Sequence, residues 1–151
     1  MTRKRILLVA SAGGHWVQLC RLSKAFEGHE VQYVTTMKGA IAPNSDRPVA
    51  IVPDASRNDV FKLLILLVRL VVLIARYRPH VLVTTGAAPG LLALQVGGLL
   101  GARTVWIDSV ANSEELSLSG KLAGRVASLW LTQWKHLSGT APGLTYMGCV
   151  L

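Results

Sequence analysis

The sequence predicts an α/β fold, a Rossmann-like doubly wound parallel sheet, and three observations carry that prediction. Short apolar runs recur at Ile6–Ala10, Val31–Thr35, Val81–Thr84 and Arg103–Ile107, as strands buried on both faces require. Helix-patterned stretches separate most of them, and strands alternating with helices imply a parallel sheet with right-handed crossovers. Two of the runs end in turns of small residues, Ser11-Ala12-Gly13-Gly14 and Thr85-Gly86-Ala87-Ala88-Pro89-Gly90. A chain of 151 residues fits one domain, 1–151, with a proper core.

The elements follow in order. After the first turn an apolar-periodic helix begins near His15, with Val17, Leu19, Cys20, Leu22 and Phe26 as its inward candidates. Gly28-His29 breaks it ahead of the second strand. The stretch from Thr36 to Arg47 is polar and turn-rich and reads as a loop. Val49–Val52 is a short third strand closed by Pro53. Ser56-Arg57-Asn58-Asp59 resembles a capping box and starts a long helix over Val60–Tyr77. Arg78-Pro79-His80 ends that helix, because proline cannot continue it. Pro89 suits the first helical position of the next helix, expected over Leu91–Leu100 and ending at Gly101. The strand Arg103–Ile107 runs into Asp108-Ser109 and a polar loop, Val110–Ser117. Ser119 is the expected cap of a helix over Gly120–Ala127. Leu129–Thr132 is strand-like, and Tyr146-Met147-Gly148 reads as a last short strand.

The helix Val60–Tyr77 is the unusual element. From Leu63 to Ala75 every position but Arg69 is apolar, so the helix is apolar almost all round. A membrane span needs roughly 20 apolar residues, and this run is shorter and divided by a charge. Three readings follow: a helix dipping into one leaflet, a helix buried in the domain or under a partner, and a true span. In the first, Leu66 and Leu73 enter the apolar phase while Lys62, Arg69 and Arg76 snorkel to the headgroups.

Composition narrows the partners. Hydrophobic residues make up 51% and charged residues only 16%, and mean hydropathy is +0.42. Such a balance leaves apolar surface for a membrane or a partner protein. The formal charge of +8 implies an anionic partner. No basic-aromatic pattern points to nucleic acid; anionic lipid or a diphosphate-bearing substrate suits the mixture better. Two cysteines, Cys20 and Cys149, exclude a disulfide framework and point to a reducing cytoplasm. No His, Cys and carboxylate cluster has metal-site spacing. Met1-Thr2-Arg3-Lys4-Arg5 is basic, but the apolar run behind it is five residues long and ends in a turn, unlike a signal peptide.

The first turn is neither G-x-G-x-x-G nor a G-K-[ST] loop, so it supports neither a dinucleotide fold nor an ATPase. Its glycines nevertheless permit close backbone approach to a ligand, and the helix behind offers unpaired N–H groups and partial positive charge. In a strand order 3-2-1-4-5 the first and fourth strands are neighbours. The two glycine turns then meet at the carboxyl edge, where open α/β sheets bind ligands. Candidate binding residues are Ser11, Gly13, Gly14, Thr85, Gly86 and Ala87, with Asn112, Glu114 and Glu115 from the later loop. His15 is the candidate base or phosphate contact and Asp108 a second candidate base. Trp130 and Trp134 read as core or membrane-edge aromatics.

Four ordered blocks together resemble a known family. They are Ser11-Ala12-Gly13-Gly14-His15 with Gln18-Leu19 and Leu22; Thr84-Thr85-Gly86-Ala87-Ala88-Pro89; Trp106-Ile107-Asp108-Ser109-Val110-Ala111-Asn112 with Leu116–Lys121; and Gln133-Trp134 with Gly148. They are similar to the asparagine-linked-glycosylation protein 14 family, which includes PssD-type bacterial polysaccharide proteins. The family block usually has Glu where Asp108 stands. The resemblance implies the N-terminal, acceptor-side half of a split GT-B glycosyltransferase, peripheral or monotopic at the cytoplasmic face of the plasma membrane. It implies a separate small donor-binding subunit holding most of the UDP-sugar, no other cofactor, and a polyprenyl-diphosphate-linked saccharide as acceptor. Eukaryotic members usually begin with a membrane-spanning helix, so attachment here is expected from Val60–Tyr77 or a partner. Two other functions stay open at this point: a non-catalytic anchor for a catalytic partner, and a soluble nucleotide-binding module.

Overall fold

The computed structural model describes residues 2–45, 47–56 and 58–150. They form one sheet in the order β3-β2-β1-β4-β5-β6-β7, parallel at every pairing. The strands are β1 (Arg5–Ala10), β2 (Glu30–Thr35), β3 (Ala50–Ile51), β4 (Val81–Thr84), β5 (Arg103–Ile107), β6 (Leu129–Thr132) and β7 (Leu144–Tyr146). The helices are α1 (Gly14–Arg21), α2 (Val60–Tyr77), α3 (Ala87–Leu99) and α4 (Leu118–Ala123). The expected order 3-2-1-4-5 is present, extended on one side by β6 and β7.

Strand periodicity divides the core. Leu7 and Val9 of β1 face α2 and α3 with Val34, Leu82 and Trp106. Ile6, Leu8 and Ala10 face α1 with Tyr33, Val83 and Ile107. The central strand is therefore buried on both faces, which is why it reads as an unbroken apolar run. Close packing on the α3 side depends on glycine: a Cβ on Gly90 would lie 2.0 Å from Thr84 Oγ1, and one on Gly97 2.8 Å from Leu82.

Helix α2 uses only part of its apolar circumference. Leu66, Leu70 and Ile74, four residues apart, are buried against the sheet, each worth about 1.5–3 kcal/mol when removed from water. The opposite side stays exposed, with Phe61 at 73%, Leu64 at 56% and Val68 at 55%. Leu66 therefore leaves the membrane-facing set: it is 0% exposed and part of the core. Leu73 is half-buried and packs against the same cluster. Lys62, Arg69 and Arg76 are exposed. Among the described residues no helix is long and apolar enough to cross a membrane.

Several boundaries differ from the sequence reading, each for a local reason. Asp59 caps α2, its carboxylate accepting from Lys62 N at 3.0 Å; the proposed capping box includes Arg57, which lies outside the described residues. Val17 is 48% exposed, because the inward stripe of α1 runs Trp16, Leu19, Cys20 and Val17 lies about 100° from it. Helix α3 begins at Ala87, four residues early, and accommodates Pro89 within its first turn. Ser117 rather than Ser119 caps α4, its Oγ accepting from Gly120 N at 2.8 Å. The last strand is Leu144–Tyr146 rather than Tyr146–Gly148.

Two phenols are packed into this frame. Burial pushes Tyr33 up to about 12, with the Cys20 charge adding to it. Burial likewise raises Tyr77 to about 12, helped by Glu30. Both folded values exceed the ordinary 10 of an unfolded chain. Folding thus favours the neutral phenols, and that contribution is complete below pH 10 and is lost as pH rises towards 12. Tyrosinate absorbance and loss of helical circular dichroism are expected to rise together in that window; ionisation near pH 10 with the fold intact would contradict it.

Candidate functional site

β1 and β4 are direct neighbours, paired from Ile6↔Val81 to Val9↔Thr84. Their equal register ends both strands at one level, so the turns after them meet. The contact is reciprocal. The ring Nδ1 of His15 lies 2.8 Å from the carbonyl oxygen of Thr85, and Thr85 Oγ1 donates to the carbonyl of His15 at 2.7 Å. A carbonyl can only accept, so Nδ1 carries the proton in this arrangement. In the neutral ring Nε2 then keeps a free lone pair.

Glycine makes the meeting possible. Gly86 has φ 129°, and a Cβ there would sit 2.8 Å from His15 Cε1. Gly13, with φ 78°, precedes α1 without side-chain capping, leaving first-turn N–H groups at the carboxyl edge. Ala87, the first residue of α3, is held at φ 64°, a left-handed conformation costing about 1–2 kcal/mol in a residue with a Cβ. Gly86 N donates to Thr84 Oγ1 at 3.1 Å, which fixes the second turn from below.

A small cleft of about 160 Å³ opens here, lined by His15, Ala87, Ser109, Asn112, Ser117 and Ser119 among others. One wall is the imidazole and the start of α3, and the other is polar and belongs to the loop after β5. The structure thus brings His15, Gly86, Ala87 and Asn112 together. Gly13 and Gly14 stand exposed at the start of α1, and Ser11 is half-buried at the end of β1. Glu114 and Glu115 are exposed and do not line the cleft. Glu115 pairs with Lys121 at 2.7 Å, and the hydrogen bond from that lysine holds its carboxyl below the usual range.

Asp108 takes a different place from that of a base facing substrate. It is 1% exposed. Its Oδ1 accepts from Trp106 Nε1 at 3.0 Å and Ser117 Oγ at 2.8 Å. Its Oδ2 accepts from Asn112 Nδ2 at 2.9 Å and Ser117 N at 3.2 Å. A carboxylate has about four acceptor sites, and these bonds use them to hold the polar wall. Gly120 leaves room for it, since a Cβ there would lie 2.2 Å from Oδ1.

Sequence reasoning missed the support behind this wall. Gln18, on α1, donates to Ser109 Oγ at 3.1 Å and accepts from Val110 N at 3.1 Å. Gln133 Nε2 donates to Gln18 Oε1 at 2.6 Å and to the Asp108 carbonyl at 2.9 Å. Gln133 Oε1 in turn accepts from Val150 N at 2.8 Å. Both glutamines stand in the blocks that carried the resemblance, and their polarity on otherwise apolar elements was the available signal. Trp134 Nε1 donates to the Val110 carbonyl at 2.8 Å, so this ring braces the loop, while Trp130 is in the core.

With this geometry in view, comparison with known proteins places the chain. The family described as "Oligosaccharide biosynthesis protein Alg14 like" matches residues 47–150. The chain belongs to that family. The match spans the second turn and the Asp108 loop. The UDP-N-acetylglucosamine transferase subunit ALG14 of Yarrowia lipolytica is 29% identical over 85 residues, 52% of this chain and 39% of that protein. The subunit of the same name from Rattus norvegicus is 21% identical, covering 97% of this chain and 82% of that protein. Among solved structures, Acinetobacter baumannii MurG superposes with a TM-score of 0.75 at 14% identity, over 95% of this chain and 45% of MurG. A UDP-N-acetylglucosamine 2-epimerase from Rickettsia bellii gives 0.71 at 10% identity, over 98% and 45%. At such identity these structures speak for the fold alone. This Alg14-like chain spans less than half of MurG and of the Yarrowia relative, and all four blocks of the resemblance fall within its described residues.

Proposed function

We propose that this chain is the acceptor-side subunit of a two-component, UDP-sugar-dependent glycosyltransferase of inverting GT-B type. The observation that carries the reading is the reciprocal His15–Thr85 contact, which sets an imidazole beside two helix N-termini at the carboxyl edge of the sheet. Amide groups of Gly14 and of the start of α3 would hold the diphosphate of a polyprenyl-linked saccharide. His15 Nε2 would accept the proton of the acceptor hydroxyl through its lone pair or, in the doubly protonated imidazolium, donate to a phosphate oxygen. Ser109, Asn112, Ser117 and Ser119 would meet sugar hydroxyls. The donor half comes from a small partner subunit, and the names of the curated relatives favour N-acetylglucosaminyl transfer, with glucuronosyl transfer also open. The exposed face of α2 would seat the chain on the cytoplasmic side of the plasma membrane.

The test is co-expression with a UDP-sugar-binding subunit and transfer from labelled UDP-sugars to membrane lipid. Label is expected in the lipid extract only when both chains are present. Transfer by this chain alone, or none by the pair from any UDP-sugar, would refute the division of labour. Gly86→Ala probes the same geometry, because its Cβ would strike the His15 ring. A displaced catalytic group costs on the order of 100-fold in rate, so Gly86→Ala should lose about that in the assembled pair while still binding its partner.

A further inference from the structure

Away from the cleft, a groove of about 960 Å³ runs between α2 and the β3 edge of the sheet. It is lined by five arginines, Arg5, Arg47, Arg69, Arg76 and Arg78, against one glutamate, Glu30. Three of these charged groups are committed within the fold. Arg47 pairs with Glu30 at 2.6 Å and lies 5.5 Å over the Tyr77 ring. Arg5 Nε donates to the carbonyls of Tyr77 and Arg78 that end α2. Arg69, Arg76 and Arg78 have no acidic partner among the described residues.

We propose that this groove binds the phosphate headgroup of an anionic phospholipid drawn from the bilayer on which α2 rests. It rests on the reading that α2 meets a membrane, and it is independent of any chemistry at His15. Charge and apolarity argue together. Arg69 and Arg76 are two turns apart, about 10 Å along one side of the helix, with Val72 between them on the lining. Val68 and Val72 belong both to the groove and to the exposed apolar face of α2. An acyl chain leaving the bilayer therefore passes from one apolar surface to another while its phosphate reaches unpaired guanidiniums, which bind phosphate oxygens in bidentate fashion. A nucleic acid or soluble phosphate would leave the exposed Val68 and Val72 without an apolar partner. Ile51 lies on the far wall, and β3 at two residues is too short to close the groove from that side.

The test is flotation of the full chain on phosphatidylcholine vesicles with and without phosphatidylglycerol. The unsubstituted chain should float on both and prefer the anionic vesicles. Arg69→Gln with Arg76→Gln should cut that preference about 30-fold, from roughly 1 kcal/mol per basic residue at an anionic surface. Lys121→Gln with Arg125→Gln removes the same charge from α4 and its end and should leave it unchanged. Val72→Trp keeps every charge but fills the groove, and should lose the anionic preference while still floating on neutral vesicles. The proposal is overturned if Val72→Trp retains full preference, since charge without the groove would then explain binding, or if the arginine pair retains it, since these guanidiniums would then not be the headgroup contact. It is overturned equally if the chain floats on neither vesicle, or if inorganic phosphate alone displaces it from anionic vesicles.

Discussion

His15→Ala is expected to reduce transfer by the assembled pair about 100- to 10,000-fold, the range that a positioned acid–base group supplies. The ring is held by one hydrogen bond to the Thr85 carbonyl at 2.8 Å and by the space that Gly86 leaves. Removing it vacates the cleft wall but breaks no core packing, because His15 lies at the rim rather than inside. Partner binding and thermal stability should therefore change little. His15→Gln separates two roles. A glutamine amide can still donate to Thr85 and to a phosphate, but it cannot take up a proton. Activity lost in both variants supports the base; activity kept in His15→Gln assigns the residue to phosphate contact. If His15→Ala leaves transfer intact while substitutions on the exposed face of α2 abolish it, the chain is a non-catalytic anchor and the catalytic reading fails.

Asp108→Ala is expected to destabilise the fold by about 3 kcal/mol, from buried donors left without an acceptor. Trp106 Nε1 is enclosed and cannot turn to water, since Trp106 is 0% exposed. The Ser117 and Asn112 donors lose their anchor at the same time. In a domain of this size that loss should lower the midpoint of thermal unfolding by about 6–12 °C. Asp108→Asn should recover only part of it, because an amide presents N–H to groups that are themselves donors. Transfer should fall in both variants through disorder of the Asn112 and Ser117 wall. An unchanged melting midpoint for Asp108→Ala would return the carboxylate to the list of candidate bases.

What could be read from the residues was set by local chemistry. Runs such as Ile6–Ala10 announce doubly buried strands, and their alternation with helices implies a parallel sheet, in which the doubly wound order 3-2-1-4-5 makes β1 and β4 neighbours. That order brings Gly13-Gly14-His15 and Thr85-Gly86-Ala87 to one edge, and the β1–β4 pairing realises it. Whatever depends on a side chain's direction needed the tertiary structure. Helix α2 is apolar nearly all round, so nothing in its pattern says that Leu66 faces the sheet while Leu64 and Val68 face outward; only packing against β1 and α3 chooses the side. Asp108 and Glu115 are both carboxylates beside one loop, yet the first is enclosed by four donors and the second salt-bridged in solvent. Burial and hydrogen-bond partners come from distant parts of the chain, and Gln18, Gln133 and the arginines of the groove gain their roles only when folding brings those parts together.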